Sequence, residues 1–80
     1  MNTRQIILDA IAQIAPDVDT DELPDDVDFR EEAELDSMDF LGVLNAVQDA
    51  TGVAVPELDY PRIITVAGFA DYLDAHLVAG

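Results

Sequence analysis

The sequence predicts an all-α fold, a small bundle of three main helices plus one short helix, with a long acidic loop between the first and second helices. Three observations predict it. Apolar residues return at three- and four-residue intervals in three separate segments, the period of one helical face. No stretch of useful length alternates apolar and polar residues as a half-buried strand would. Pro16, Gly52, Pro56 and Pro61 fall between the periodic segments, where such residues end helices.

The first helix is expected over residues 3–15. Asn2 is placed to cap it, with Gln5 three positions on in a capping-box relation. Ile7, Ile11 and Ile14 form its apolar stripe, widened by Ile6, Leu8 and Ala10, while Gln5, Asp9 and Gln13 occupy the other side. Pro16 pushes Ala15 out of the helical region and stops the helix. Residues 16–36 then read as a loop in which eleven of twenty-one positions are Asp or Glu and Arg30 is the only base. Structureless loops of this length are unusual in compact domains and tend to be functional. Val18, Leu23, Val27, Phe29 and Leu35 are spaced irregularly, as anchors pinning a loop to a core would be.

A second main helix starts at Asp36-Ser37-Met38-Asp39 and continues to Thr51, with Gly52 as its C′ residue. Asp36 is a natural N-cap, and Asp39 suits the positive end of the helix dipole. Leu44, Val47 and Thr51 mark one edge, and Val43, Ala46 and Ala50 the next. Met38 and Leu41 lie on another flank, so the helix is apolar on more than one side. Gly42 costs this helix about 1 kcal/mol relative to Ala. It is either a tolerated surface glycine or a point where a partner's backbone approaches closely. After extended residues 53–56 comes an irregular helical turn over 57–63, broken by Pro61. Thr65 caps a final helix, in which Val66, Phe69, Ala70, Leu73 and Leu77 form the buried face.

Composition narrows the function. Eighty residues, half of them hydrophobic, are expected to make one domain over 1–80. The absence of cysteine excludes disulfides, thiolate metal sites and a cysteine nucleophile. Eighteen Asp and Glu against three Arg and no Lys leave a formal charge of −15. That balance repels nucleic acid and anionic membrane surfaces and steers the chain onto basic protein surfaces. Asp9 and Gln13 interrupt the N-terminal apolar stretch, making it an amphipathic helix and not a secretory segment. No window is long enough for a membrane span. A cytoplasmic monomer is expected.

Three kinds of chemistry have candidate residues in this chain. Catalysis by Ser37 would need a base, and the one histidine is His76, near the C-terminus. No Gly-x-Ser-x-Gly elbow or phosphate-cradling glycine loop is present, so the chain is not expected to be an enzyme. Asp17, Asp19, Asp21, Asp25 and Asp28 mimic the register of a calcium loop, but Glu22 stands where the turn needs Gly and Asp28 where a bidentate Glu belongs. No metal site is expected. Ser37 remains: a hydroxyl at a helix tip, after a long acidic loop, flanked by Asp36 and Asp39.

Leu35-Asp36-Ser37-Met38-Asp39 resembles the phosphopantetheine attachment motif of acyl carrier proteins, usually Asp-Ser-Leu. Residues 53–56 sit where that family has an apolar-acidic-Ile-Pro turn, and Ile64-Thr65-Val66 matches the start of its last helix. The family order of helix, long loop, helix, short helix, helix covers essentially the whole chain. The resemblance implies a 4′-phosphopantetheine arm, taken from coenzyme A by a phosphopantetheinyl transferase and attached to Ser37. It also implies acyl cargo held as thioesters, and acyl-loading and acyl-processing enzymes docking through basic surfaces. Asp36, Met38, Asp39 and Leu41 are the residues placed to meet them. Met38 for Leu conserves volume, and Phe40 is bulky for a position near the arm. Gly42, Asn45 and Gln48 replace glutamates common in carriers of fatty acid synthesis, which points away from a housekeeping role there; within what the resemblance implies, the pathway is fatty acid, polyketide or related specialised biosynthesis. Aminoacyl or peptidyl cargo is the near alternative, and an acidic inhibitor that is never modified is the alternative from another class.

Overall fold

A computed structural model describes residues 2–77. Three long helices, α1 (Thr3–Ile14), α3 (Ser37–Thr51) and α4 (Val66–Leu77), enclose the core, and a short α2 (Phe29–Glu32) precedes α3. Two 3₁₀ segments, Thr20–Glu22 and Glu57–Arg62, complete the order, and the described residues contain no strand. Both α3 and α4 pack on α1. The expected bundle is present, with the short helix over 57–63 taking 3₁₀ form.

Helix α1 begins where Asn2 Oδ1 accepts the Gln5 N–H at 3.1 Å. The Gln5 side chain turns forward to Asp9 at 2.8 Å and leaves the capping box one-sided. Ile7, Leu8, Ala10 and Ile11 are buried, as their spacing predicts. The buried Thr3 donates to Asp74 at 2.9 Å, tying the first turn of α1 to α4.

Residues 16–36 differ from the structureless loop that their composition predicts. Aspartates organise them by accepting nearby backbone N–H groups, the local bonding that makes Asp a turn and cap residue. Asp19 accepts from Asp21 at 3.1 Å to start the first 3₁₀ turn, and Asp28 accepts from Arg30 at 3.0 Å to start α2. A four-residue helix is too short to show periodicity, so α2 left no signal in the pattern. Of the expected anchors, Leu23 and Phe29 are buried, Val18 and Leu35 pack part-buried on the core, and Val27 is half-buried outside it. The loop is also bonded to α4 and to the residues leading into it: Phe29 N–H donates to Ile64 O at 2.9 Å and Ala67 N–H to Asp25 O at 3.0 Å.

Phe29 is fully buried and links the aromatic core, with Phe69 stacked at 6.4 Å and Phe40 tilted at 6.0 Å between centroids. Phe40 meets Tyr60 edge-on at 5.4 Å. Its bulk therefore belongs to the core. Gly52 ends α3 at φ 76, the left-handed conformation expected of it.

Gly42 faces α1, where an added Cβ would lie 2.8 Å from Ile14 Cδ1. The close approach at this glycine is thus within the molecule, against helix α1, and the partner-backbone account of it does not apply. A Cβ at Gly68 would lie 2.7 Å from the Arg62 carbonyl oxygen, where the 3₁₀ segment crosses the first turn of α4. Backbone cannot rotate aside as a side-chain tip can. Gly68→Ala is therefore expected to lower stability by about 1–3 kcal/mol. Gly42→Ala should cost much less, because Ile14 can re-rotamerise and Ala regains up to about 1 kcal/mol of helix propensity. Denaturant unfolding of the two variants checks this; equal losses would contradict it.

Candidate functional site at the start of helix α3

The chain is held on both sides of Ser37. Before it, α2 ends in a Schellman motif: Leu35 N–H donates to Arg30 O at 2.8 Å and Glu34 N–H to Glu31 O at 3.2 Å. Glu34 occupies the left-handed position at φ 55, where glycine is usual. After it, α3 opens with a reciprocal capping box. Asp39 N–H donates to Asp36 Oδ1 at 2.8 Å, and Asp36 N–H to Asp39 Oδ2 at 3.4 Å. Ser37 is the first residue of the helix and is exposed. It sits at the positive end of a fifteen-residue helix, an environment that accepts added negative charge.

Beside Ser37 lies an open groove of about 690 Å³. Leu35, Phe40, Leu41 and Tyr60 give it apolar surface, and Asp28, Glu31, Asp36 and Glu57 give it carboxylates. Arg30 is the one base among the lining residues. Its guanidinium grips Asp28 in a fork, Nε to Oδ1 at 3.0 Å and Nη2 to Oδ2 at 2.7 Å, and lies 5.3 Å from the Phe40 ring centroid. The hydrogen bond from Arg30 holds the Asp28 carboxyl below the usual carboxylate range, and Arg4 does the same for Asp25.

The groove holds no histidine. The His76 ring stacks on Tyr72 at 4.1 Å, with Nδ1 2.8 Å from the Tyr72 carbonyl. The tautomer that donates to that carbonyl carries its proton on Nδ1. Among the described residues no group of three or more Asp, Glu or His side chains is disposed to hold a metal ion. An exposed hydroxyl, a groove with apolar and hydrogen-bonding walls, and a helix N-terminus suit a covalently attached chain bearing a phosphate.

The structure brings the sequence-derived residues onto one turn and a half of α3. Asp36 and Ser37 are exposed, Met38 is 76 % exposed and Leu41 43 % exposed. Asp39 is half-buried, its carboxylate committed to the capping box. Phe40 was placed near the attachment motif by its position in the sequence, but Arg30 and Tyr60 were not legible as groove residues. Arg30 had one signal, its solitary positive charge in an acidic run; Tyr60 had none, because only the chain's path brings the 3₁₀ segment to α3. Leu58 on that segment is 92 % exposed and adds a third outward apolar side chain to Met38 and Leu41.

Comparison with known proteins agrees with this geometry. A family profile described as the phosphopantetheine attachment site matches residues 5–73. The chain is 33% identical over 79 residues to an acyl carrier protein of Rubrobacter xylanophilus, covering 95% of this chain and 98% of that protein. It is 26% identical over 77 residues to an acyl carrier protein of Lactobacillus johnsonii, covering 92% and 96%. No solved structure matches the chain significantly.

The electrostatics predict a two-sided pH profile. Asp28 and Asp25 titrate lower when folded than when unfolded. Their stabilisation is present above the unfolded value near 4 and is lost as pH falls through the folded value. The −15 charge acts oppositely, since lowering the pH from 7 relieves self-repulsion. Melting temperature at low salt should rise from pH 7 to about pH 5 and fall below about pH 4. Physiological salt should raise it at pH 7. Asp28→Asn, which keeps a capping side chain, should flatten the acid limb. Thermal melts across this range check it; a steady decline from pH 7 would contradict it.

Proposed function

The chain belongs to the acyl carrier protein family, whose mark is the phosphopantetheine attachment site, and on that premise we propose that Ser37 bears the 4′-phosphopantetheine arm. The observation that carries this is the position of Ser37: exposed, first in α3, and beside the groove. The arm supplies a terminal thiol on which acyl groups are held as thioesters, chemistry that a chain without cysteine lacks. The Schellman turn and the capping box hold the serine at a fixed place on the surface. The Asp36 carboxylate beside Ser37 accepts the Asp39 N–H of the cap, so the base that activates the hydroxyl is assigned to the transferase.

The protein then acts as a non-catalytic carrier, handing acyl intermediates to the enzymes of fatty acid, polyketide or related specialised biosynthesis. Asn45 and Gln48 are exposed and uncharged, and Gly42 faces α1. The middle of α3 therefore offers partners no carboxylate at these three positions, which favours a specialised pathway. Recognition divides between the carboxylates of Asp36 and Asp39, which steer basic surfaces, and Met38 with Leu41, which supply apolar contact.

Incubation with a broad-specificity phosphopantetheinyl transferase and coenzyme A should add one phosphopantetheine by intact mass, and Ser37→Ala should abolish it. Unmodified wild type after trials with several transferases would overturn the reading. For recognition, Asp36→Asn, which preserves the cap, should slow association with the transferase several-fold at low salt and less at high salt. Met38→Ala and Leu41→Ala should instead speed dissociation about 5- to 30-fold with little salt dependence. Rates measured at two salt concentrations separate the two; salt-sensitive association alone in all three variants would contradict the division.

A further inference from the structure

We propose that Arg30 holds the phosphate of the arm on Ser37, with Asp28 and Phe40 positioning its guanidinium; this rests on the assignment of Ser37 as the attachment residue. The groove beside Ser37 already contains four carboxylates, Asp28, Glu31, Asp36 and Glu57. A phosphodiester on Ser37 brings a further negative charge to that wall. Arg30 is the one lining residue that can answer it. The two other arginines are engaged elsewhere: Arg4 pairs with Asp25 at 2.9 Å, and Arg62 lies over the Tyr72 ring at 5.3 Å.

Arg30 is prepared for this task by its own contacts. An arginine has five N–H donors in a rigid plane. Asp28 takes one from Nε and one from Nη2, and the others have no hydrogen-bond partner among the described residues. The fork to Asp28 and the Phe40 face set the plane of the guanidinium, so little side-chain freedom is lost when a second anion binds. Phe40 and Ser37 share the first turn of α3, and Phe40 is itself buried, which fixes the stacked cation relative to the serine's helix. The Arg30 side chain remains 39 % exposed, so its outer donors are reachable. Asp28 alone does not exhaust it, and arginine binds phosphate oxygens in the same forked manner as carboxylates.

The test is a cycle between the modification and the residue, made on the full chain in apo and holo forms. For wild type and Arg30→Gln, the difference in melting temperature between holo and apo protein is measured at low and at physiological salt. The holo-minus-apo difference should be about 2–4 °C less favourable in Arg30→Gln than in wild type. The gap should shrink with salt and be partly restored in Arg30→Lys, which keeps the charge without the fork. Arg4→Gln should leave the difference unchanged. In wild type, the Arg30 Nε–H resonance should shift on conversion to holo, and the phosphodiester ³¹P resonance should differ between wild type and Arg30→Gln. The same holo-minus-apo difference in wild type and Arg30→Gln, with no shift at Arg30 Nε, would overturn the proposal while leaving Ser37 as the attachment residue. Failure of wild type to accept the arm would overturn both. Should Arg30→Gln not fold, Arg30→Lys and the wild-type resonance decide the matter, and an unmoved Arg30 signal is then the refuting result.

Discussion

The burial of Phe29 is the contact on which the rest of this structure depends. Phe29 lies within the most acidic segment of a chain of net charge −15 and is nonetheless fully buried. Full burial of a phenylalanine contributes about 1.5–3 kcal/mol from apolar area alone. That gain holds residues 25–29 against the start of α4 and the residues just before it, where the Phe29–Ile64 and Asp25–Ala67 backbone bonds form. Once Phe29 is placed, α2 begins at Asp28, its Schellman end falls at Glu34 and Leu35, and Asp36 arrives in position to cap α3. The location of Ser37 follows from a hydrophobic contact eight residues earlier.

The carboxylates of the loop are distributed among separate tasks. Asp19 and Asp28 cap short helical turns, Asp25 pairs with Arg4, Asp28 also pairs with Arg30, and Asp36 shares its capping box with Asp39. Each use places a carboxylate on a backbone donor or a guanidinium, which offsets the local repulsion of the run. The exposed ion pair of Arg4 is worth little by itself. The fork of Arg30 is more constrained, because stacking on Phe40 restricts the guanidinium as well.

The groove is a product of that arrangement. Its walls come from α2, from the first turns of α3 and from the 3₁₀ segment Glu57–Arg62, three parts of the chain that meet around Phe40. Phe40 is shared: one side of its surroundings is core, through Phe29, and the other is the wall that carries Arg30 and Tyr60. A change in core packing at Phe29 would therefore reach the charge beside Ser37. Core packing and the groove wall beside Ser37 are coupled there through one aromatic ring.

Much of this could be read from the chain alone, and the reason is locality. The apolar period of α1 and α4, the Asn2, Asp36 and Thr65 caps, the left-handed Gly52 and the exposure of Met38 and Leu41 all depend on residues within one or two helical turns. The Asp36-Ser37-Met38-Asp39 run likewise showed a hydroxyl at a helix start, because capping is decided over four residues. What only the tertiary structure decided involves partners far apart in sequence. Gly42 meets the Ile14 side chain, and Gly68 the Arg62 carbonyl. Phe40 turns inward because Phe29 and Tyr60 receive it. Helix α2 exists because its first residue is buried and its aspartate cap is bonded to its own backbone. Periodicity records which face of a helix is apolar, but it does not record what that face meets. The meeting of residues 30, 37, 40 and 60 in one groove was decided by packing.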